Sequence, residues 1–213
     1  VGQLFLGNKE GNFNPSSNQP WDEDKASEDV NAVFFDANGD GAPDLWVVSG
    51  GNEYDENAPE YQDRLYLNDG KGIFHKAKDA LPKMWSSKQA ISVVDFDKDG
   101  DLDVFVGGMS KPGSFPLCSK SYLLRNESKG GEVKFSDVTS QLSPDLEYPG
   151  MVVTACWQDL NKDGYPELLI GGDWMPLKKF KNEKGVLKYD KDSGLENSDG
   201  MWSKIVPMDV NND

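Results

Sequence analysis

The sequence predicts an all-β fold of repeated four-stranded antiparallel blades, a β-propeller. Three observations predict it. An acidic loop of fixed spacing occurs three times, an apolar run follows each copy, and a second hairpin with an Asn and a glycine turn follows each run. The clearest copy spans residues 95–108, DFDKDGDLDVFVGG. Asp95, Asp97, Asp99 and Asp103 hold positions 1, 3, 5 and 9 of a tight loop. Gly100 stands at position 6, where the backbone must turn sharply and a Cβ would be costly. Alternate carboxylates on a looping backbone can point at one centre, and hard oxygens around one centre suit Ca²⁺. Without a cation, two carboxylates roughly 5 Å apart repel by about 3 kcal/mol at an effective dielectric of about 20.

The other copies set the period. Asp36, Asn38, Asp40 and Asp44 surround Gly41, and Asp159, Asn161, Asp163 and Glu167 surround Gly164. A half-motif, Asp209, Asn211 and Asp213, stands at the end of the sequence. The leading aspartates lie 59, 64 and 50 residues apart, which is a repeat period. Position 7 offers a backbone carbonyl and so makes no demand on the side chain; Ala42, Asp101 and Tyr165 stand there. An EF-hand needs a bidentate Glu at position 12 and flanking helices, but Val47, Val106 and Ile170 occupy that place. The runs VNAVFF, AISVV and VVTACW before the loops, and LWVVSGG, VFVGG and LLIGG after them, read as strands. Each loop therefore joins two strands, and position 9 begins the second.

The remaining strands follow from a second pattern. LFLGNKEGNF at 4–13 matches stretches at 64–74, 121–135 and 176–189. Each has an apolar strand, an Asn (Asn8, Asn68, Asn126, Asn182), a glycine turn and a second strand with an aromatic (Phe13, Phe74, Phe135, Tyr189). Four strands in roughly 55 residues make a propeller blade. Residues 1–20 supply the outer half of one blade; 29–81, 88–142 and 151–199 give three blades, and 200–213 opens the next.

The DxDxDGxxD loop followed by a hydrophobic strand and paired glycines resembles the FG-GAP repeat of integrin α-chain propellers and the bacterial VCBS repeats. Residues 171–185 and 194–213 further resemble bacterial proteins that join such repeats to a cartilage acidic protein-like region. The resemblance implies that the three loops are Ca²⁺ ligand sets, about three sites in all. Glu167 departs from the usual Asp at position 9. Integrin-like propellers have seven or eight blades, so the expectation is an arc of a larger ring in a longer polypeptide.

Composition limits the partners. Thirty-seven acids against 22 Lys and Arg give a formal charge of −15, a field that repels phosphate backbones and anionic lipids. Nucleic acid and membrane insertion are therefore not expected. Cys118 and Cys156 leave either a disulfide or two thiols open. Weak loop sites of this kind fill where Ca²⁺ is near millimolar, which places the chain at an extracellular, cell-surface or periplasmic location. In an antiparallel blade the Ca²⁺ loops and glycine turns share one face. The opposite face carries the long segments after Gly51, Gly108 and Gly172 and is expected to meet a protein or carbohydrate ligand. Tyr54, Tyr61, Trp85, Phe115 and Trp174 are the candidate contacts there, with packing between blades the alternative for Trp85 and Trp174. Trp46, Trp157 and Trp202 are assigned to the core. No GxSxG, Walker, HExxH or CxxC motif occurs, and the only histidine, His75, falls in an outer strand. The reading is a calcium-stabilised binding scaffold; the alternative is a Ca²⁺-dependent, lyase-type polysaccharide-degrading propeller.

Overall fold

The apolar runs on either side of each acidic loop pair with one another. The computed structural model describes residues 2–17, 19–208 and 210. A short hairpin, β1 (Phe5–Gly7) and β2 (Phe13–Pro15), comes first. Three sheets follow, each antiparallel and in chain order. The first comprises β3 (Asp29–Phe35), β4 (Asp44–Ser49), β5 (Arg64–Asn68) and β6 (Phe74–Lys76). The second comprises β7 (Lys88–Val94), β8 (Asp103–Gly108), β9 (Tyr122–Asn126) and β10 (Phe135–Asp137). The third comprises β11 (Met151–Gln158), β12 (Glu167–Met175), β13 (Lys178–Glu183) and β14 (Val186–Tyr189). A single helical turn, α1 (Thr139–Leu142), leads from the second sheet toward the third.

The unbroken apolar character of the second strands has a direct cause: their two faces serve two different cores. Trp46 and Val48 of β4 join Val104 and Val106 of β8 between the first and second sheets. Phe105 of β8 points the other way, to Leu168 and Ile170 of β12. Leu45 and Val47 face outward onto Trp21, which the sequence reading passed over and which covers the first sheet with Tyr66 and Phe74. The first strands sit side by side, β7 packing on both β3 and β11. Blade-like sheets stacked face to face are the result. Gly107 permits this closeness, and Gly108 the close approach of the connection between β8 and β9. A Cβ on Gly107 would lie 2.6 Å from Val152 Cγ1 of the third sheet, and one on Gly108 would lie 2.3 Å from the Ser119 carbonyl oxygen.

Several expectations change. The segment after Gly172 is no long loop: β12 runs to Met175, and Trp174 is exposed with φ +52° at the start of a tight turn into β13. Trp46 is fully buried, Trp157 is half-buried and stacks on Phe96 at 6.3 Å against the second core, and Trp202 is half-buried. Residues 200–201, expected to open the next unit, form β15 (Gly200–Met201), which pairs with β12, Asp173 opposite Met201. Beyond it the Ile205 N–H donates to Thr154 Oγ1 (3.2 Å), so the chain returns alongside β11. Cys118 and Cys156 are free thiols. No sheet among the described residues joins the first hairpin to the last strand. Asp209, Asn211 and Asp213 lie outside the described residues.

Candidate metal centres

The three acidic loops close in the same way, each held by its own carboxylates. In the first, Asp36 Oδ1 accepts the N–H groups of Gly39 (2.8 Å) and Asp40 (3.2 Å), and Oδ2 accepts that of Gly41 (2.7 Å). In the second, Asp95 accepts Lys98 (2.7 Å) and Gly100 (3.2 Å); in the third, Asp159 accepts Asp163 (3.2 Å) and Gly164 (2.9 Å). The position 5 carboxylates of Asp40, Asp99 and Asp163 accept the N–H of position 7, that is of Ala42, Asp101 and Tyr165, at 2.8, 3.0 and 2.8 Å. The backbone thus orients the acids before any ligand arrives. Positive φ occurs at Gly41, Gly100 and Gly164 as the spacing requires, and also two residues earlier, at Gly39, Lys98 and Lys162. That second left-handed position was not legible, since lysine gives no signal for it.

Position 9 does more than offer an oxygen. Asp44 and Asp103 are buried, and each accepts two backbone N–H groups: Ala37 (2.9 Å) and Asn68 (2.8 Å) for Asp44, Phe96 (3.2 Å) and Asn126 (2.8 Å) for Asp103. Each ties its loop to the third strand of its own sheet. Glu167, longer by a methylene, accepts Leu160 N–H (2.9 Å) but turns its other oxygen to the Asn161 amide (3.1 Å).

The loops differ in charge. Asp95, Asp97 and Asp99 each present a carboxylate oxygen within 4.8 Å of the others. Two oxygens bound to one Ca²⁺ at about 2.4 Å can be at most about 4.8 Å apart, so this set fits a calcium ion. In the first and third loops an amide replaces the central acid, and the Asn38 and Asn161 side chains donate to Asp40 (2.8 Å) and Asp163 (3.0 Å). Burial raises the Asp44 carboxyl, and the Asp40 and Asp36 charges add to it. Burial also raises Asp97, with Asp99 adding, and pushes Asp103 up to about 7 with Asp97 and Asp99 contributing. A divalent cation would reverse that balance by favouring the ionised forms.

The asparagines of the glycine turns acquire a role here that the sequence left open. Asn126 Nδ2 donates to Ala37 O (3.0 Å) in the first acidic loop and to Leu102 O (3.2 Å) in the second. Asn182 Nδ2 bridges Phe96 O (2.9 Å) and Pro166 O (3.0 Å) in the same manner. Each therefore joins its own loop to that of the preceding sheet. Asn8, by contrast, only accepts N–H groups from its own exposed turn. Asn126→Ala is expected to cost about 1–3 kcal/mol in urea denaturation, the penalty for stranding buried carbonyls. Asn8→Ala should stay within about 0.5 kcal/mol of the parent; equal effects would remove the bridging role.

The long-loop face sorts the aromatic candidates. Tyr61 is fully buried and donates its hydroxyl to Tyr54 O (2.9 Å), so it is a loop anchor rather than a contact. Tyr54 and Trp85 are half-buried. Phe115 and Trp174 are exposed and meet edge-to-face at 5.0 Å, joining the second and third sheets' connections. His75 is exposed. A buried ion pair escaped the sequence reading. Lys88 Nζ lies 3.3 Å from Asp63, both side chains wholly enclosed, and donates to the carbonyls of Tyr61 (2.5 Å), Met84 (2.8 Å) and Ser86 (2.5 Å).

Side-by-side antiparallel sheets with acidic loops between their first and second strands define a propeller-like repeat. Residues 36–106, from the first aspartate of one loop into the strand after the next, match the FG-GAP-like repeat family. No curated protein matches the sequence. Among solved structures, the chain is similar to one from "Cryo-EM structure of RAG in complex with one melted RSS and one unmelted RSS", at 13% identity and a TM-score of 0.46. The likeness covers 82% of this chain and 55% of that one, so the chain spans about half its length. No helix among the described residues is long and apolar enough to cross a membrane.

Proposed function

We propose that this chain is part of a calcium-stabilised propeller that acts as a binding scaffold outside the cytoplasm. The observation that carries the reading is the gathering of the Asp95, Asp97 and Asp99 oxygens within 4.8 Å, in a loop whose backbone pattern recurs twice more. Asp36, Asn38, Asp40 and Asp44, with the Ala42 carbonyl, would hold one ion. Asp95, Asp97, Asp99 and Asp103, with the Asp101 carbonyl, would hold a second, and Asp159, Asn161, Asp163 and Glu167, with the Tyr165 carbonyl, a third. Bound calcium supplies positive charge and hard-ligand coordination at each turn. The protein's own groups do the rest: the N–H bonds aim the carboxylates, Asp44 and Asp103 fasten the first two loops to their sheets, and Asn126 and Asn182 lock successive loops together. Weak sites of this type fill at extracellular calcium levels, which supports a cell-surface, secreted or periplasmic setting. The ring to which the sheets belong is proposed to have seven or eight blades, with the partner on the face opposite the loops.

Equilibrium dialysis against millimolar calcium, followed by metal analysis, is expected to find about three ions per chain. Asp97→Asn/Asp99→Asn should remove one of them. A chain that retains no calcium after brief desalting and shows no saturable uptake would overturn the proposal.

A further inference from the structure

On the face away from the acidic loops, a cavity of about 660 Å³ opens between the two long connections. Lys83, Trp85, Lys111, Lys120 and Tyr148 help to line it. A second cavity, of about 560 Å³, shares Lys83 and Trp85 and continues to Arg64, Lys76 and Lys78. The adjoining cavities thus gather six cationic side chains against four carboxylates, in a chain whose formal charge is −15. Part of that charge is already matched: Arg64 by Asp29 (2.5 Å), Lys76 by Asp24, Lys111 by Glu56 and Lys120 by Asp137 and Glu147. Lys78 and Lys83 have no carboxylate within ion-pair distance among the described residues, and Lys83 Nζ instead sits 3.5 Å above the Trp85 ring. Arg64 is 4% exposed, yet its Nε has no hydrogen-bond acceptor among the described residues. Two unpaired ammonium groups lining adjoining cavities suit an anion. Tyr148, 61% exposed at the mouth, offers a flat ring to the C–H face of a sugar.

We propose that these joined cavities bind an acidic carbohydrate, a saccharide bearing uronate carboxylates or sulfate esters. Lys83 and Lys78 meet the anionic groups, and Tyr148 stacks on a ring. Ligand charge matters because the protein's overall field repels anions, so only a local cluster of this kind can hold one. The inference rests on the long-loop face being the binding face, as proposed above.

Titration calorimetry on the calcium-loaded chain tests it with four probes: short oligouronates, sulfated oligosaccharides, carboxyl-reduced oligouronates and oligoglutamate. At least one of the two acidic saccharides is expected to bind, with affinity falling as NaCl rises. Which of them binds identifies the source of the charge. Lys83→Gln should weaken binding about tenfold, and Lys83→Gln/Tyr148→Ala on the order of a hundredfold, with melting temperature unchanged because both side chains are exposed. The proposal fails if neither acidic saccharide binds, if the carboxyl-reduced form binds as well as its parent, if oligoglutamate binds more tightly, or if the double variant keeps wild-type affinity. Calcium uptake reports separately on the scaffold: a chain that takes up its ions yet ignores acidic saccharides refutes this inference and leaves the scaffold reading standing.

Discussion

Stripping calcium with EDTA is expected to lower the melting temperature by tens of degrees. A ligand that binds only the folded chain stabilises it by about 2.7 kcal/mol per site at a hundredfold excess over Kd. Three such sites correspond to a fall on the order of 15–30 °C for a chain of this size. Readdition of Ca²⁺ should restore the transition, and Mg²⁺ should do so poorly, because it demands tight octahedral geometry and gives up water reluctantly. The metal-free chain should also respond to pH in a set direction. Its Asp103 carboxyl, raised to about 7 by burial and by Asp97 and Asp99, binds a proton more readily folded than unfolded. Its contribution to stability is therefore fully present below the ordinary carboxylate range and is lost as pH rises through about 7. Calcium should flatten or invert that slope, since it favours the ionised form. Thermal melts at several pH values, with EDTA and with calcium, read both effects; a melting temperature indifferent to chelation at every pH would dispose of the structural role.

Lys88→Met is the single substitution expected to do the most damage. The ammonium is enclosed between the first and second sheets and pairs with Asp63 while donating to three carbonyls. Asp63 in turn accepts Trp46 Nε1–H (3.1 Å) and Ser49 N–H (2.9 Å). Burial pushes the Lys88 ammonium down and the Asp63 carboxyl up, and each partner opposes the shift in the other. Methionine fills similar volume but leaves a buried carboxylate unpaired, a loss of about 3–5 kcal/mol, or roughly 6–20 °C in melting temperature. In the Lys88→Met background, Asp63→Asn should recover part of the loss, because the amide carries no charge to strand. A double-mutant cycle in urea measures this coupling. Strictly additive losses, or a Lys88→Met chain melting within a degree or two of the parent, would show the pair to be dispensable.

The acidic loops and the strands beside them were legible for one reason: their signals are local. A carboxylate at every second position, a glycine at the sixth and an apolar run after the ninth each constrain neighbouring residues, so Asp36, Asp95 and Asp159 mark their loops without help from the rest of the chain. The strand order within each sheet followed from the repeated unit of four consecutive strands. Trp21 and the Lys88–Asp63 pair were not legible, because nothing near Trp21 signals a strand to cover and nothing in a run of ordinary charges marks one lysine for burial. Residues 173–176 continue a strand instead of opening a long loop because β15, remote in sequence, supplies a pairing edge at Asp173 and Met175.

Sequence alone therefore determined the repeated unit: four strands, an acidic loop after the first and an Asn-bearing glycine turn after the third. Tertiary structure decided what those parts do for one another. Asn126 and Asn182 became bridges between loops, Asp44 and Asp103 became fasteners of their loops, and scattered lysines became the wall of a cleft. The physical reason is that periodicity records the contacts of a residue with its own strand, whereas packing sheet on sheet brings together groups some sixty to ninety residues apart, as with Asn126 and Ala37, whose partnership no local pattern encodes.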